Sequence, residues 1–185
     1  GTNDLYEVGT IASIMRVIKI PEGGIKILIQ GLSRARVSHI NTQNDSLNAT
    51  VEEFSLDEGD EIEILAQIKN IKSVAEKIAL TQNKFSPDFH IILSKIQDAD
   101  KVADFILSHL SLTVEQAQSM LELTTKKDFL QMLYAHLSRE IEVAEVQEKI
   151  KNNARESMNK SQKEFYLREQ LKAIKQELGE DDTQD

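Results

Sequence analysis

The sequence predicts an α+β fold: a small β-rich lobe, then an α-helical bundle, then one long C-terminal helix. Three observations predict it. Up to Phe54, β-branched and apolar residues fall in short alternating runs separated by turn-forming residues. Beyond that point apolar residues recur every three or four positions, the period of an amphipathic helix. From Thr125 to Leu178 there is neither Pro nor Gly, so nothing breaks a helix there. The organisation that follows is residues 1–58 as the lobe, 59–142 as the bundle, 143–179 as the long helix and 180–185 as an acidic tail.

In the lobe, Thr10 to Ile20 is rich in β-branched residues. Pro21-Glu22-Gly23-Gly24 reads as a turn, because Pro fixes φ and Gly accepts a positive one. Ile25, Ile27 and Ile29 alternate with Lys26 and Gln30, completing a hairpin. Alternation resumes from Arg34 to Ile40. Asn41 to Asn48 reads as a polar loop, and Ala49 to Phe54 as a further short strand. Arg34 and Arg36 share one side of their strand, where a solvated sheet face outweighs an acidic partner as the reading.

The helical part opens at Ser55 and Glu58, which have capping-box spacing. Ile64, Ile68, Ile71, Ala75 and Ile78 follow at helical intervals, although their β-branching leaves a strand pair open as the alternative. Ser86-Pro87 reads as an N-cap with Pro in the first turn, starting a helix that runs through Ile96. Asp98 is placed to cap the next, with Val102, Phe105, Ile106 and Leu110 inward. Thr113 to Gln116 forms a capping box ahead of Ala117, Met120 and Leu121. Thr125, with Asp128 three residues on, starts the last helix. Leu130, Leu133, Leu137 and Ile141 continue its bundle face, and Val146, Ile150, Ala154 and Met158 extend the stripe more thinly. Glu145–Lys149, Glu156–Lys160 and Glu164–Arg168 are Glu-first pairs four apart, each adding about 0.2–0.5 kcal/mol to a wetted helix.

Charge and composition narrow the function classes. The 185 residues carry a net charge of −9, are 40% apolar and 29% charged, and include no Cys. Disulfides and thiolate metal sites are thereby excluded, and a cytoplasmic location fits. No apolar run approaches the roughly 20 residues of a membrane span, and the start has no signal-like core. Gly at position 1 instead of Met suggests a trimmed fragment. Val143 to Leu178 holds eight Lys/Arg against six Glu, a mild excess that suits a solvated helix better than a nucleic-acid reader.

A search for catalytic chemistry returns little. No G-x-x-x-x-G-K-S/T loop is present, and the seven glycines are scattered. Nothing marks a strained nucleophile turn. His39, His90, His109 and His136 stand apart in sequence and read as surface or cap residues rather than zinc ligands. Asp57-Glu58-Gly59-Asp60-Glu61 lacks the oxygen spacing of a calcium loop and reads as a helix N-terminus. No catalytic, metal-ligating or cofactor-binding residue is assigned.

The feature that carries most is Ser161 to Gly179. Leu167, Leu171, Ile174 and Leu178 are spaced 4, 3, 4, which aligns them on one helix face. Gly179 is a C-terminal cap. Phe165 and Tyr166 are adjacent aromatics on the same helix. These six residues are the candidate contacts for a partner or substrate.

The stretch Ser161-Gln162-Lys163-Glu164-Phe165-Tyr166-Leu167-Arg168-Glu169-Gln170-Leu171-Lys172-Ala173-Ile174 resembles the segment leading into the ATPase module of Lon, the ATP-dependent serine proteases. Asp4-Leu5-Tyr6-Glu7-Val8-Gly9-Thr10-Ile11-Ala12 and Gly31-Leu32-Ser33-Arg34-Ala35 are similar to elements of the family's amino-terminal region, in the same order. The resemblance implies a region that recognises unfolded or degron-bearing proteins and helps organise a hexamer. It also implies a parent enzyme that degrades misfolded and short-lived regulatory proteins, with ATP and Mg held in a domain outside this chain. The family region has further strands and a helix before Asp4, so the lobe is expected to be incomplete, with an open edge. The alternative, from another class, is a coiled-coil scaffold or adaptor unrelated to proteolysis.

Overall fold

In the computed structural model, which describes residues 4–82 and 85–179, the lobe is a three-stranded antiparallel sheet in the order β1–β2–β3. The strands are β1 Val8–Lys19, β2 Ile25–Gln43 and β3 Ser46–Phe54. Gly23 and Gly24 close the first hairpin with φ of 92° and 114°, a region closed to most side chains. The Gly23 N–H donates to the Ile20 carbonyl at 3.0 Å, and the Ile20 N–H to the Gly24 carbonyl at 3.1 Å.

The second hairpin corrects two expectations. β2 is one strand from Ile25 to Gln43, and the stretch expected as a loop from Asn41 to Asn48 is mostly ladder. Gln43 pairs with Ser46 around a two-residue turn, Asn44 and Asp45, with φ of 50° and 57°. Asn and Asp enter this left-handed region more readily than other side chains, and a turn of that hand matches the twist of the flanking strands. The polar side chains of this stretch are solvated on the sheet surface. Their polarity reported exposure, not absence of a strand.

The helices are α1 Glu61–Gln82, α2 Phe89–Lys95, α3 Ala99–Leu107, α4 Val114–Leu121 and α5 Lys126–Glu177. In α1 the helical period prevails over β-branching: Ile68, Ile71, Ala75 and Ile78 are all buried, and no Gly or Pro interrupts 22 residues. Its cap is Asp60, whose Oδ1 accepts from the Glu63 N–H at 2.8 Å. The expected Ser55–Glu58 box does not form, because Asp57 is engaged elsewhere. The Asp57 N–H donates to the Thr124 carbonyl at 2.8 Å, and the Lys126 N–H donates to the Asp57 carbonyl at 2.9 Å. This short parallel bridge ties the end of the lobe to the start of α5.

Ser86-Pro87 also falls short of its expected role. It forms a turn, with the Ser86 carbonyl accepting from the Phe89 N–H at 3.0 Å, and α2 begins two residues later than expected. The remaining caps form as the sequence indicates. Asp98 accepts from Lys101 N–H at 3.0 Å, Thr113 and Gln116 make the reciprocal box, and Thr125 Oγ1 accepts from Asp128 N–H at 3.1 Å.

The chain forms two compact units, one ending at Leu137 and the other beginning at Ser138. The core of the first gathers Ile71 and Ile78 of α1, Phe89 and Leu93 of α2, Val102 and Ile106 of α3, and Leu130, Leu133 and Leu137 of α5. Val8 and Ala35 are the buried residues of the sheet. Gln118 of α4 holds the start of β1, its Nε2 donating to the Val8 carbonyl at 2.9 Å. Toward the first hairpin's tip the sheet is apolar but exposed, at Ile14, Val17, Ile27 and Leu28 among others. The acidic tail lies outside the described residues.

Candidate binding surfaces

The six residues singled out on α5 are all exposed, from 52% at Leu167 to 72% at Leu178. Leu167, Leu171 and Ile174 lie within the helix, and the Leu178 N–H still donates to the Ile174 carbonyl at 3.0 Å. At 100° per residue these three leucines and one isoleucine fall within about 60° of arc, one continuous stripe. Gly179 ends it with φ of 71°, and its N–H donates to the Gln176 carbonyl at 3.2 Å. Phe165 lies roughly 160° round the helix from Leu167, so it does not join the stripe. Tyr166 stands between, its hydroxyl accepting from Gln170 Nε2 at 2.9 Å. A surface that covers the stripe therefore leaves Phe165 facing elsewhere.

A second surface was not visible in the sequence. Arg34 of β2 is half-buried, and its guanidinium lies over the Phe129 ring at 5.1 Å from the centroid. A solvated face holds for Arg36, which is exposed with its guanidinium 5.8 Å from the Phe54 ring centroid, but not for Arg34. Beside Arg34 opens a cavity of about 400 Å³, walled by Leu107, Leu110, Met120 and Phe129, with Asp104 on its rim. Desolvation against this wall holds the Asp104 carboxyl above the usual range. Asp100 and Asp98 push the same way, while Arg34 opposes them. The Arg34 Nε is buried and has no hydrogen-bond acceptor. Period-two spacing placed Arg34 on a face; only the position of Phe129, 95 residues later in sequence, shows that the face is covered.

Two lysines at the start of α5 form polar contacts, Lys126 with the segment before α1 and with α3, and Lys127 with α1. Lys126 is buried, and its ammonium meets Glu58 and lies 3.4 Å from Asp100. Burial pulls its pKa down, but the bond to Glu58 and the charges of Asp100 and Glu58 outweigh this and leave it raised. Lys127 pairs with Glu63 at 2.8 Å, and that bond raises its pKa as well.

His109 caps the end of α3, its Nδ1 2.8 Å from the Phe105 carbonyl, and packs edge-on to Phe85, Phe89 and Phe105. Among the described residues no group of three His, Asp or Glu converges as a metal site. No helix among them is long and apolar enough to cross a membrane.

Comparison with known proteins gives a consistent outcome. Residues 1–139 match the family model of the ATP-dependent protease La (LON) substrate-binding domain. The Lon protease of Desulfovibrio desulfuricans is 37% identical over 187 residues, spanning 100% of this chain and 21% of that protein. The Lon protease of Escherichia coli is 37% identical over 186 residues, spanning 100% of this chain and 24% of its own length. Among solved structures, the N-terminal domain of Mycobacterium avium complex Lon protease is similar with a TM-score of 0.61 at 24% identity. That match covers 71% of this chain and 70% of the other. It shows a shared fold.

Proposed function

The chain belongs to the LON substrate-binding domain family, and from that premise we propose that it recognises and holds protein substrates for an ATP-dependent serine endopeptidase. The match over residues 1–139 carries this reading, because it takes in the sheet and the bundle and not only the long helix. A coiled-coil scaffold would need the long helix alone. The chain spans about a fifth to a quarter of the length of the curated relatives it matches. The protease activity, the ATP and Mg it requires, the degradation of misfolded and short-lived regulatory proteins, the cytoplasmic setting and the hexamer all belong to the proposed parent protein.

The residues of this chain do not fit ATP. Its positive-φ glycines sit in separate turns at Gly23-Gly24, Gly59 and Gly179, and no G-x-x-x-x-G-K-S/T sequence converges amides on a phosphate. The chain's contribution is binding. Two apolar surfaces support it, the exposed sheet residues around Ile14, Val17, Ile27 and Leu28 and the α5 stripe at Leu167, Leu171, Ile174 and Leu178. Both offer contact area that an unfolded chain can cover and a folded protein's polar surface cannot match. Affinity is modest, since neither surface is a deep, desolvated anchor pocket.

The test is titration of a denatured, fluorescently labelled model protein and of the same protein folded. Preferential binding of the denatured form is expected. Equal signals, or none, remove substrate holding from this chain. The pure chain is also expected to turn over no ATP and cleave no casein, and measurable turnover of either rejects the division of labour proposed here.

A further inference from the structure

We infer that the pocket beside Arg34 seats the C-terminal residue of a polypeptide, with the apolar side chain in the cavity and the terminal carboxylate on the guanidinium. This rests on the reading of the chain as a substrate-binding region and names one chemical feature it would select.

Arg34 has an unmet hydrogen-bonding valence. Its Nε is buried without an acceptor, and among the described residues no carboxylate pairs with it within 4 Å. One face of the guanidinium is occupied by Phe129. The side chain is only half-buried and lines the cavity, so with one face stacked and its Nε shielded it is the terminal nitrogens that can meet a planar, charged acceptor. The adjoining space is apolar, formed by Leu107, Leu110 and Met120, and its volume of about 400 Å³ lies in the range of ligand pockets. An acceptor that is both anionic and attached directly to an apolar side chain is the terminal residue of a polypeptide ending in Leu, Met or Phe. An internal peptide carbonyl would leave the cation unneutralised, and Asp or Glu would put a polar side chain into the apolar cavity.

Asp104 on the rim sets the limit on affinity. A ligand carboxylate enters the field of a carboxyl already disfavoured as an anion by desolvation and by Asp100 and Asp98. Removing that charge should tighten binding, while removing the Arg34 charge should abolish the preference for an acid.

The experiment uses the 185-residue chain and a fluorescein-labelled Gly/Ser peptide ending in Leu, prepared as the free acid and as the C-terminal amide. Anisotropy titration should show the acid binding at least about tenfold tighter than the amide, the scale of one charge-assisted hydrogen-bond pair. Arg34→Gln should erase that difference, and Asp104→Asn should strengthen acid binding about two- to threefold by relieving one solvent-screened repulsion. Ala117→Phe, at an exposed position lining the cavity, should fill the pocket and weaken the acid while leaving Arg34 in place. It keeps the inference testable if Arg34→Gln unfolds, which far-ultraviolet circular dichroism reports. Acid and amide binding alike overturns the inference, as does full binding by Ala117→Phe. Sodium octanoate competing as well as the peptide acid overturns the polypeptide assignment, since the site would then take any apolar carboxylate. Denatured protein titrated alongside separates the two levels. If it binds while acid and amide do not differ, only this inference fails; if neither it nor the peptides bind, the substrate-binding reading fails with it.

Discussion

At the scale of single residues, the first unit depends on a few side chains whose roles follow from burial. Leu133 is fully buried in α5, and Leu133→Ala should cost about 2–5 kcal/mol by lost transfer energy plus a residual cavity, measured as a lower urea midpoint. Lys126 is buried but its partners Glu58 and Asp100 are mostly exposed. Replacing it with Met keeps the aliphatic packing and removes the charge, so the cost should stay near about 1 kcal/mol. Lys126→Ala should cost more, by losing the stem as well. The raised Lys126 pKa contributes stability that is complete below the ordinary lysine value and disappears as pH rises through the raised one. The wild type should therefore lose its advantage over Lys126→Met only in the alkaline range. Asp104 behaves oppositely to a paired carboxylate. Its pKa is raised in the folded state, so folding is favoured below the usual carboxyl range and loses that contribution as pH climbs through the raised value. Asp104→Asn should stabilise the chain at neutral pH, by at most about 0.5 kcal/mol for an exposed group. Thermal melts at pH 7 and pH 3 check this, since the gain should vanish at the lower pH.

At the scale of elements, periodicity made most of the fold legible and local chemistry misplaced its edges. The buried positions of α1 stand at the expected intervals, and Asp98, Thr113 and Thr125 cap where sequence places them. The misses share a cause. Asn41 to Asn48 looked like a loop because a strand wetted on its surface has polar residues, and only the partner ladder reveals it. Ser55 and Glu58 had the spacing of a box, but the bridge between Asp57 and Thr125 engages that backbone, and Asp60 takes over. The α5 stripe was fully legible because it depends on one period within one helix. The Arg34 pocket was not, because it combines residues of β2, α3, α4 and α5. The hairpin correction yields its own prediction. Asp45 holds φ of 57°, where Gly is unstrained and type I′ turns favour Asn-Gly. Asp45→Gly should raise stability by about 0.5–1 kcal/mol, the usual size of a left-handed site relieved of its side chain less the entropy of the added Gly. A fall in the denaturation midpoint instead would show that Asp45 contributes more than a tolerated conformation.

At the scale of the whole molecule, exposed apolar residues concentrate on the sheet and on the α5 stripe. The sheet order β1–β2–β3 leaves β1 and β3 as edges among the described strands, and unpaired edges recruit other chains. The α5 stripe adds a second adhesive surface, with the 4, 3, 4 spacing of a helical seam. We propose that the stripe dominates self-association. Leu167, Leu171, Ile174 and Leu178 can be covered together by one partner helix, whereas the irregularity of β1 at Met15, between Ile14 and Arg16, interrupts the regular ladder an added strand would need. Dimers or small oligomers are therefore expected at high concentration. Leu171→Asp places a charge in the middle of the seam, where desolvation opposes it, and should shift the chain toward monomer without altering its melting as a monomer, since Leu171 is exposed. Light scattering over a concentration series decides between the two surfaces. Wild type monomeric throughout rejects the association itself. An oligomer that persists unchanged in Leu171→Asp transfers the interface from the helix to the sheet, and a β-edge variant such as Arg16→Pro then becomes the one that should dissociate it, because Pro removes a donor from the strand.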